Sequence, residues 1–153
     1  MDRLQKWAHI AEIAGAVAVV ISLLYVGYQI RENTDAQLSA TENNLFSLGF
    51  ALDEWYLQPD FVEIVAKANS DFASLTEVER LRYERHVGMS LNVWAYALKS
   101  YTRGQIDEGE WVAWNNWFVG EMSKPAWAEV YENMRDGYHP DFRSHVDANL
   151  PRR

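Results

Sequence analysis

Four side chains near the C-terminus have the chemistry of metal ligands: Asp136, His139, Asp141 and His145. Imidazole nitrogens and carboxylates together suit zinc or a similar ion. Asp141 and His145 are four residues apart, which places them on one face of a helix. Neither an H-E-x-x-H motif nor a Glu-x-x-His pair occurs, however. The expectation is an exposed terminal segment with a helix ion pair, and no metal site. His86 is the second candidate. It lies beside Tyr83 and Ser90, where a charged sequence turns apolar, so burial could tune its basicity. Spacing supplies no catalytic partner, and a hydrogen-bonded structural histidine is expected. Gly88-Met89-Ser90-Leu91-Asn92 approaches the nucleophile elbow G-x-S-x-G but lacks the last glycine and sits inside a helical pattern. The glycines never cluster into a phosphate-binding loop. Carboxylate pairs such as Glu77 with Glu79 and Glu108 with Glu110 fall at helix starts, where they complement the helix dipole.

The tryptophans are the remaining oddity among the seven in the chain. Trp111, Trp114 and Trp117 recur every three residues, with Asn115 and Asn116 between them. Such a strip can line a groove for a sugar or a cationic headgroup, or lie on lipid. Filling the core with large rings is the reading favoured over both. His86, Trp111, Trp114 and Trp117 form the candidate ligand groove. No residue is assigned a catalytic role, and no cofactor is expected.

These residues belong to a chain of 153 residues with a net charge of −8. Phosphate affinity comes from Lys and Arg, so nucleic acid is not an expected partner. The absence of cysteine excludes disulfides, thiol nucleophiles and Cys-ligated metal sites. Charge is unevenly spread. Residues 1–30 sum to zero, with Asp2, Arg3, Lys6 and Glu12, so residues 31–153 carry the whole −8. From Ile13 to Ile30 there is no charged residue. That stretch spans about 27 Å as a helix, near a hydrocarbon core of roughly 30 Å. Trp7 precedes it, and Tyr25 and Tyr28 end it, in the manner of interfacial aromatics. A buried core helix would keep a polar face. A cleaved signal peptide would need a better site than Leu38-Ser39-Ala40. Residues 1–30 therefore read as a transmembrane anchor, with the lipid bilayer as partner.

Small residues Ala11, Gly15, Ala18 and Ser22 line one face of that anchor, and Glu12 flanks it near the edge of the apolar core. Such a stripe lets two helices approach closely in lipid, so a homo-oligomer through this helix is expected. Glu12 is expected to snorkel to the headgroups. Arg3 and Lys6 precede the span and Arg31 follows it, which leans the helical body towards the periplasm.

Beyond the anchor, residues 31–44 are almost wholly polar and read as a helical neck. Residues 45–150 read as a helical bundle. Leu45, Leu48, Leu52 and Trp55 recur at helical spacing, with Phe46 and Phe50 beside them. Gln58-Pro59 breaks that helix, and Pro59 opens the next. Thr76 and Glu79 form a capping box for a long helix to about Thr102, whose uncharged half from Val87 to Leu98 is too short to cross a bilayer. Asp107 with Glu110 repeats the box for a helix to about Val119. Pro125 starts another, ending at Gly137, and Pro140 opens a last segment to about Leu150. No alternating β-branched run appears, so the fold class is all-α.

The stretch AEIAGAVAVVISLLYVGYQIRENT resembles the opening of an uncharacterised family of small bacterial membrane proteins. The likeness is strongest over residues 7–36. It implies one N-terminal span running into a helical domain in a bacterial cytoplasmic membrane, and it carries no activity and no catalytic residues. The expected role is a non-enzymatic, membrane-tethered interaction module, with a ligand- or lipid-binding sensor and a metal-dependent hydrolase as alternatives.

Overall fold

A computed structural model describes residues 2–149, with side chains from residue 3 onward. Six α-helices account for most of them: α1 (Asp2–Asp53), α2 (Pro59–Ser70), α3 (Glu77–Thr102), α4 (Glu108–Met122), α5 (Pro125–Met134) and α6 (Pro140–Asn149). Short 3-10 turns occupy Glu54–Leu57, Phe72–Ser74 and Arg135–Gly137. No strand occurs among the described residues, and the protein is all-α. It divides into two units, with the boundary between Ala40 and Thr41.

The first unit is helical throughout, and every side chain from Arg3 to Gln37 is exposed. Val17, Val19, Val20, Ile21, Leu23 and Leu24 are among the exposed residues. The small residues Ala11, Gly15, Ala18 and Ser22 fill the side these leave open, and no charge falls between Ile13 and Ile30, so the helix has no charged stripe to turn towards water. Two of its hydroxyls bond back to the helix's own carbonyls. Ser22 Oγ donates to the Ala18 carbonyl at 2.8 Å, and Thr34 Oγ1 to that of Ile30 at 2.9 Å. Within the apolar run the Ser22 bond leaves that hydroxyl with an internal acceptor in a medium that offers none.

The second unit takes in Thr41–Asn44, which the sequence assigns to the neck; Thr41 and Glu42 are already half-buried, and Leu45 is its first buried residue. Local signals set its element ends. Gln58 is extended (ψ 114°) ahead of Pro59, which occupies the first turn of α2 where no N–H is needed. The Thr76 box is complete: Glu79 N–H donates to Thr76 Oγ1 (3.3 Å) and Thr76 N–H to Glu79 Oε2 (2.7 Å). The same Glu79 oxygen accepts from Lys67 Nζ at 2.7 Å, tying α2 to α3. These contacts, led by Lys67, hold the Glu79 carboxyl at about 2. At the far end of α3, Gly104 adopts φ +65°. That conformation lets Gln105 N–H reach the Ser100 carbonyl (2.8 Å) and Gly104 N–H that of Tyr101 (2.9 Å), a Schellman closure.

Helix α3 is the centre of this unit, burying Tyr83, His86, Val87, Leu91, Trp94 and Ala97 against α2, α4 and α5. Two expected elements differ. The helix from Pro125 ends at Met134, and a 3-10 turn covers the residues to Gly137. The segment after Pro140 is not an exposed tail. Phe142 and Val146 are buried, and Phe142 packs edge-on against Trp94 with centroids 5.4 Å apart. Arg135 with Asp147, and Arg143 with Asp136, clasp α6 to the preceding turn.

Candidate functional site

The four residues of the candidate ligand groove fall in three places. His86 lies on the buried face of α3 and is only 1 % exposed. Aromatic rings box it in: Phe61 (5.0 Å), Tyr56 (5.3 Å), Trp55 (5.9 Å) and Trp127 (6.4 Å) between centroids. Its Nδ1 has no hydrogen-bond partner, and neither has the buried Tyr83 hydroxyl one turn earlier. The expected structural histidine is therefore packed, not hydrogen-bonded at Nδ1. Burial, with a smaller push from the Lys124 ammonium, lowers His86 to about 4. Lys124 is itself held by Glu121 at 2.6 Å. Burial likewise raises Tyr83 well above the usual phenol range. Ser90 Oγ donates to the carbonyl of His86 itself (2.9 Å), a bond within one helix turn, so the pair is not a nucleophile with its base.

Trp111 is buried in a second place. It stacks on Tyr101 (5.3 Å, 8° between planes) and faces His145 (5.2 Å). Asn115, one turn later, also points inward. Its Oδ1 accepts from Trp94 Nε1–H (3.1 Å) and lies 2.7 Å from His145 Nε2, a contact that is a hydrogen bond in the tautomer protonated there. Burial lowers the basicity of His145. The other three members of the C-terminal set lie apart from it. Asp136 pairs with Arg143 at 3.4 Å, and His139 with Asp141 at 3.5 Å, at the surface. The helix pair expected between Asp141 and His145 is not formed. No group of three or more His, Asp or Glu side chains able to hold a metal exists among the described residues.

Trp114 and Trp117 line a real groove of about 380 Å³. From α4 come Glu110, Ala113, Trp114 and Trp117; from the last turns of α1 come Phe46, Gly49, Leu52 and Asp53. The α4 set is spaced by three, four and seven residues and the α1 set by three, six and seven, so each lies on one side of its helix. Gly49 is required here. A Cβ at this position would lie 2.7 Å from Trp114 Cη2, inside contact distance, so only glycine lets the indole lie against the helix. Phe46 tilts towards Trp114 at 6.4 Å. Asp107 caps α4 by accepting from Glu110 N–H at 2.8 Å, but the reciprocal half of the expected box is not made. Glu110 is instead one of the residues lining the groove.

The anchor residues Trp7, Glu12, Gly15, Ala18, Ser22, Tyr25 and Tyr28 are all exposed on α1. A Cβ added to Gly15 would meet nothing within 4 Å. Glu12 sits 3.6 Å from His9 Nδ1, one turn earlier, and Tyr28 donates its hydroxyl to Glu32 Oε1 at 2.9 Å. The helix carrying these residues is long and apolar enough to span a membrane.

No protein-family model, no curated protein and no solved structure matches this chain. Of the groove residues, sequence reasoning names Phe46 only for packing and Glu110 only for capping, and it does not single out Gly49 or Asp53. Only the i, i+3, i+7 repeat at each end of the pairing hints at them.

Proposed function

We propose that this chain is a membrane-tethered, non-enzymatic interaction module of a bacterial cytoplasmic membrane. Residues 1–30 anchor it in the lipid bilayer and self-associate, and the helical body faces the periplasm. The observation that carries the reading is the contrast between the two units. The first exposes an unbroken apolar surface over Ile13–Ile30, while the second buries a core of its own. Water penalises that surface by about 25 cal/mol per Å², and a bilayer removes the penalty. The residues with catalytic chemistry support the non-enzymatic reading, because His86 and His145 are committed to packing and Asn115 to holding Trp94. Self-association rests on the small-residue face Ala11, Gly15, Ala18 and Ser22, where Gly15 leaves room for a second backbone.

Fractionation of cells expressing the full chain tests the anchor. Retention in membranes after alkaline washing is expected, and release into the soluble fraction refutes it. A pair of C-terminal reporters active on opposite sides of the membrane tests the side. Gly15→Leu in a transmembrane association assay is expected to reduce self-association severalfold, and unchanged association refutes that part.

A further inference from the structure

The groove between the last turns of α1 and helix α4 has a composition that selects its ligand. Its walls are the rings of Phe46, Trp114 and Trp117, and its charges are two carboxylates, Asp53 and Glu110. Neither carboxylate is paired with a cation among the described residues. Phe46 and Gly49 both meet Trp114 across the groove. Phe46 and Trp117 keep 48 % and 43 % of their surface exposed, so both rings are open to a ligand.

Aromatic faces attract cations through the ring quadrupole, most strongly at tryptophan. The carboxylates add a field of the same sign. A primary ammonium can donate to Asp53 and Glu110 but must give up a strongly held water shell to lie against the rings, which is costly. A quaternary ammonium has no N–H to satisfy and presents methyl groups to the rings. The volume of about 380 Å³ lies at the small-molecule end of ligand sites. We propose that this groove binds a small quaternary ammonium compound of the choline type. The site lies wholly within residues 46–117, all in the second unit.

The test is calorimetric titration of the full chain, in a neutral maltoside detergent free of choline lipids, with choline and with tetramethylammonium. Saturable binding of both is expected. The neutral isostere 3,3-dimethylbutan-1-ol, with carbon in place of nitrogen, is expected to bind at least tenfold more weakly. Trp117→Leu is expected to weaken choline binding about fivefold to thirtyfold. Asp53→Asn and Glu110→Gln keep the shape of the groove and are each expected to weaken it about threefold to fivefold. Near-UV circular dichroism checks the fold of each variant, and the two isosteric changes keep the test open if Trp117→Leu fails to fold. Equal binding of the neutral isostere refutes the cation reading. Tighter binding of n-butylammonium than of tetramethylammonium refutes the quaternary class in favour of a lysine side chain. Recognition of choline lipid vesicles without recognition of free choline refutes the small-molecule occupant, and absence of all binding refutes the site.

Discussion

Protonation of His86 is expected to be a dominant acid-labile element of the helical body. The imidazole is neutral in the fold, held near 4 by burial and by Lys124, against an ordinary value of 6.5. The unfolded chain thus takes up a proton at this residue at a higher pH than the folded chain does. Stability is therefore full above about pH 7 and falls as the pH drops from 6.5 through 4. At about 1.4 kcal/mol per tenfold change in affinity, the loss is about 2 kcal/mol by pH 5 and about 3 kcal/mol near pH 4. Groups around the ring do not offset it. Glu121 is engaged with Lys124, and Tyr56 and Tyr83 stay protonated throughout that range. His145, also lowered by burial, adds a loss of the same sign. Glu79 contributes in a lower window, between 4.5 and about 2. The assay is urea unfolding of the full chain in detergent at pH 7, 6, 5 and 4.5, followed by near-UV circular dichroism. His86→Phe, which replaces one ring by another among Phe61, Trp55 and Trp127, is expected to remove most of the slope between pH 6.5 and 4.5. It also removes the unpaired Nδ1, so the variant is expected to match or exceed the parent at pH 7 once any overpacking is discounted. An unchanged slope in His86→Phe refutes the assignment.

Two other perturbations read the local structure. Thr76→Ala removes the hydroxyl that accepts from Glu79 N–H, and thermal unfolding is expected to show a loss of about 1 kcal/mol. Asn115→Ala strips the acceptor shared by Trp94 and His145, and a loss of about 1–3 kcal/mol is expected, with a change in the near-UV tryptophan signal.

Much of this fold is written in local chemistry. Pro59, Pro125 and Pro140 open helices, Thr76 and Asp107 cap them, and Gly104 closes one, because each acts through its own backbone torsions or hydrogen bonds. The apolar run Ile13–Ile30 is equally legible, since composition alone decides whether a helix can face water. The candidate site is less so. The box around His86 draws its rings from residues 55 to 127, and the groove pairs Gly49 with Trp114 across more than sixty positions. No periodicity within one helix encodes which face meets which. The reciprocal bond at Glu110 is not made although Glu stands three residues after the cap as in the Thr76 box; the cap here is the Asp107 carboxylate, not a hydroxyl.

The tryptophan triplet shows how one spacing serves two purposes. Successive residues turn about 100° around a helix axis, so a step of three falls short of a full turn by about 60°. From Trp111 to Trp117 the rings therefore sweep about 120° across α4, from the interior to the surface. Exposure follows that sweep: Trp111 is 8 % exposed, Trp114 is half-buried, and Trp117 is 43 % exposed. Core packing and groove lining are thus carried by different members of one series. Trp111→Ala is expected to cost about 3–5 kcal/mol of stability, as for other large rings removed from a core. Trp117→Ala keeps fewer buried contacts to lose, Phe118 at 4.6 Å being the nearest ring, and is expected to cost less than about half as much. Chemical denaturation of the two variants side by side measures the difference. Equal losses would mean that Trp117 is held as part of the core, and the open groove it is argued to line would lose its outer wall.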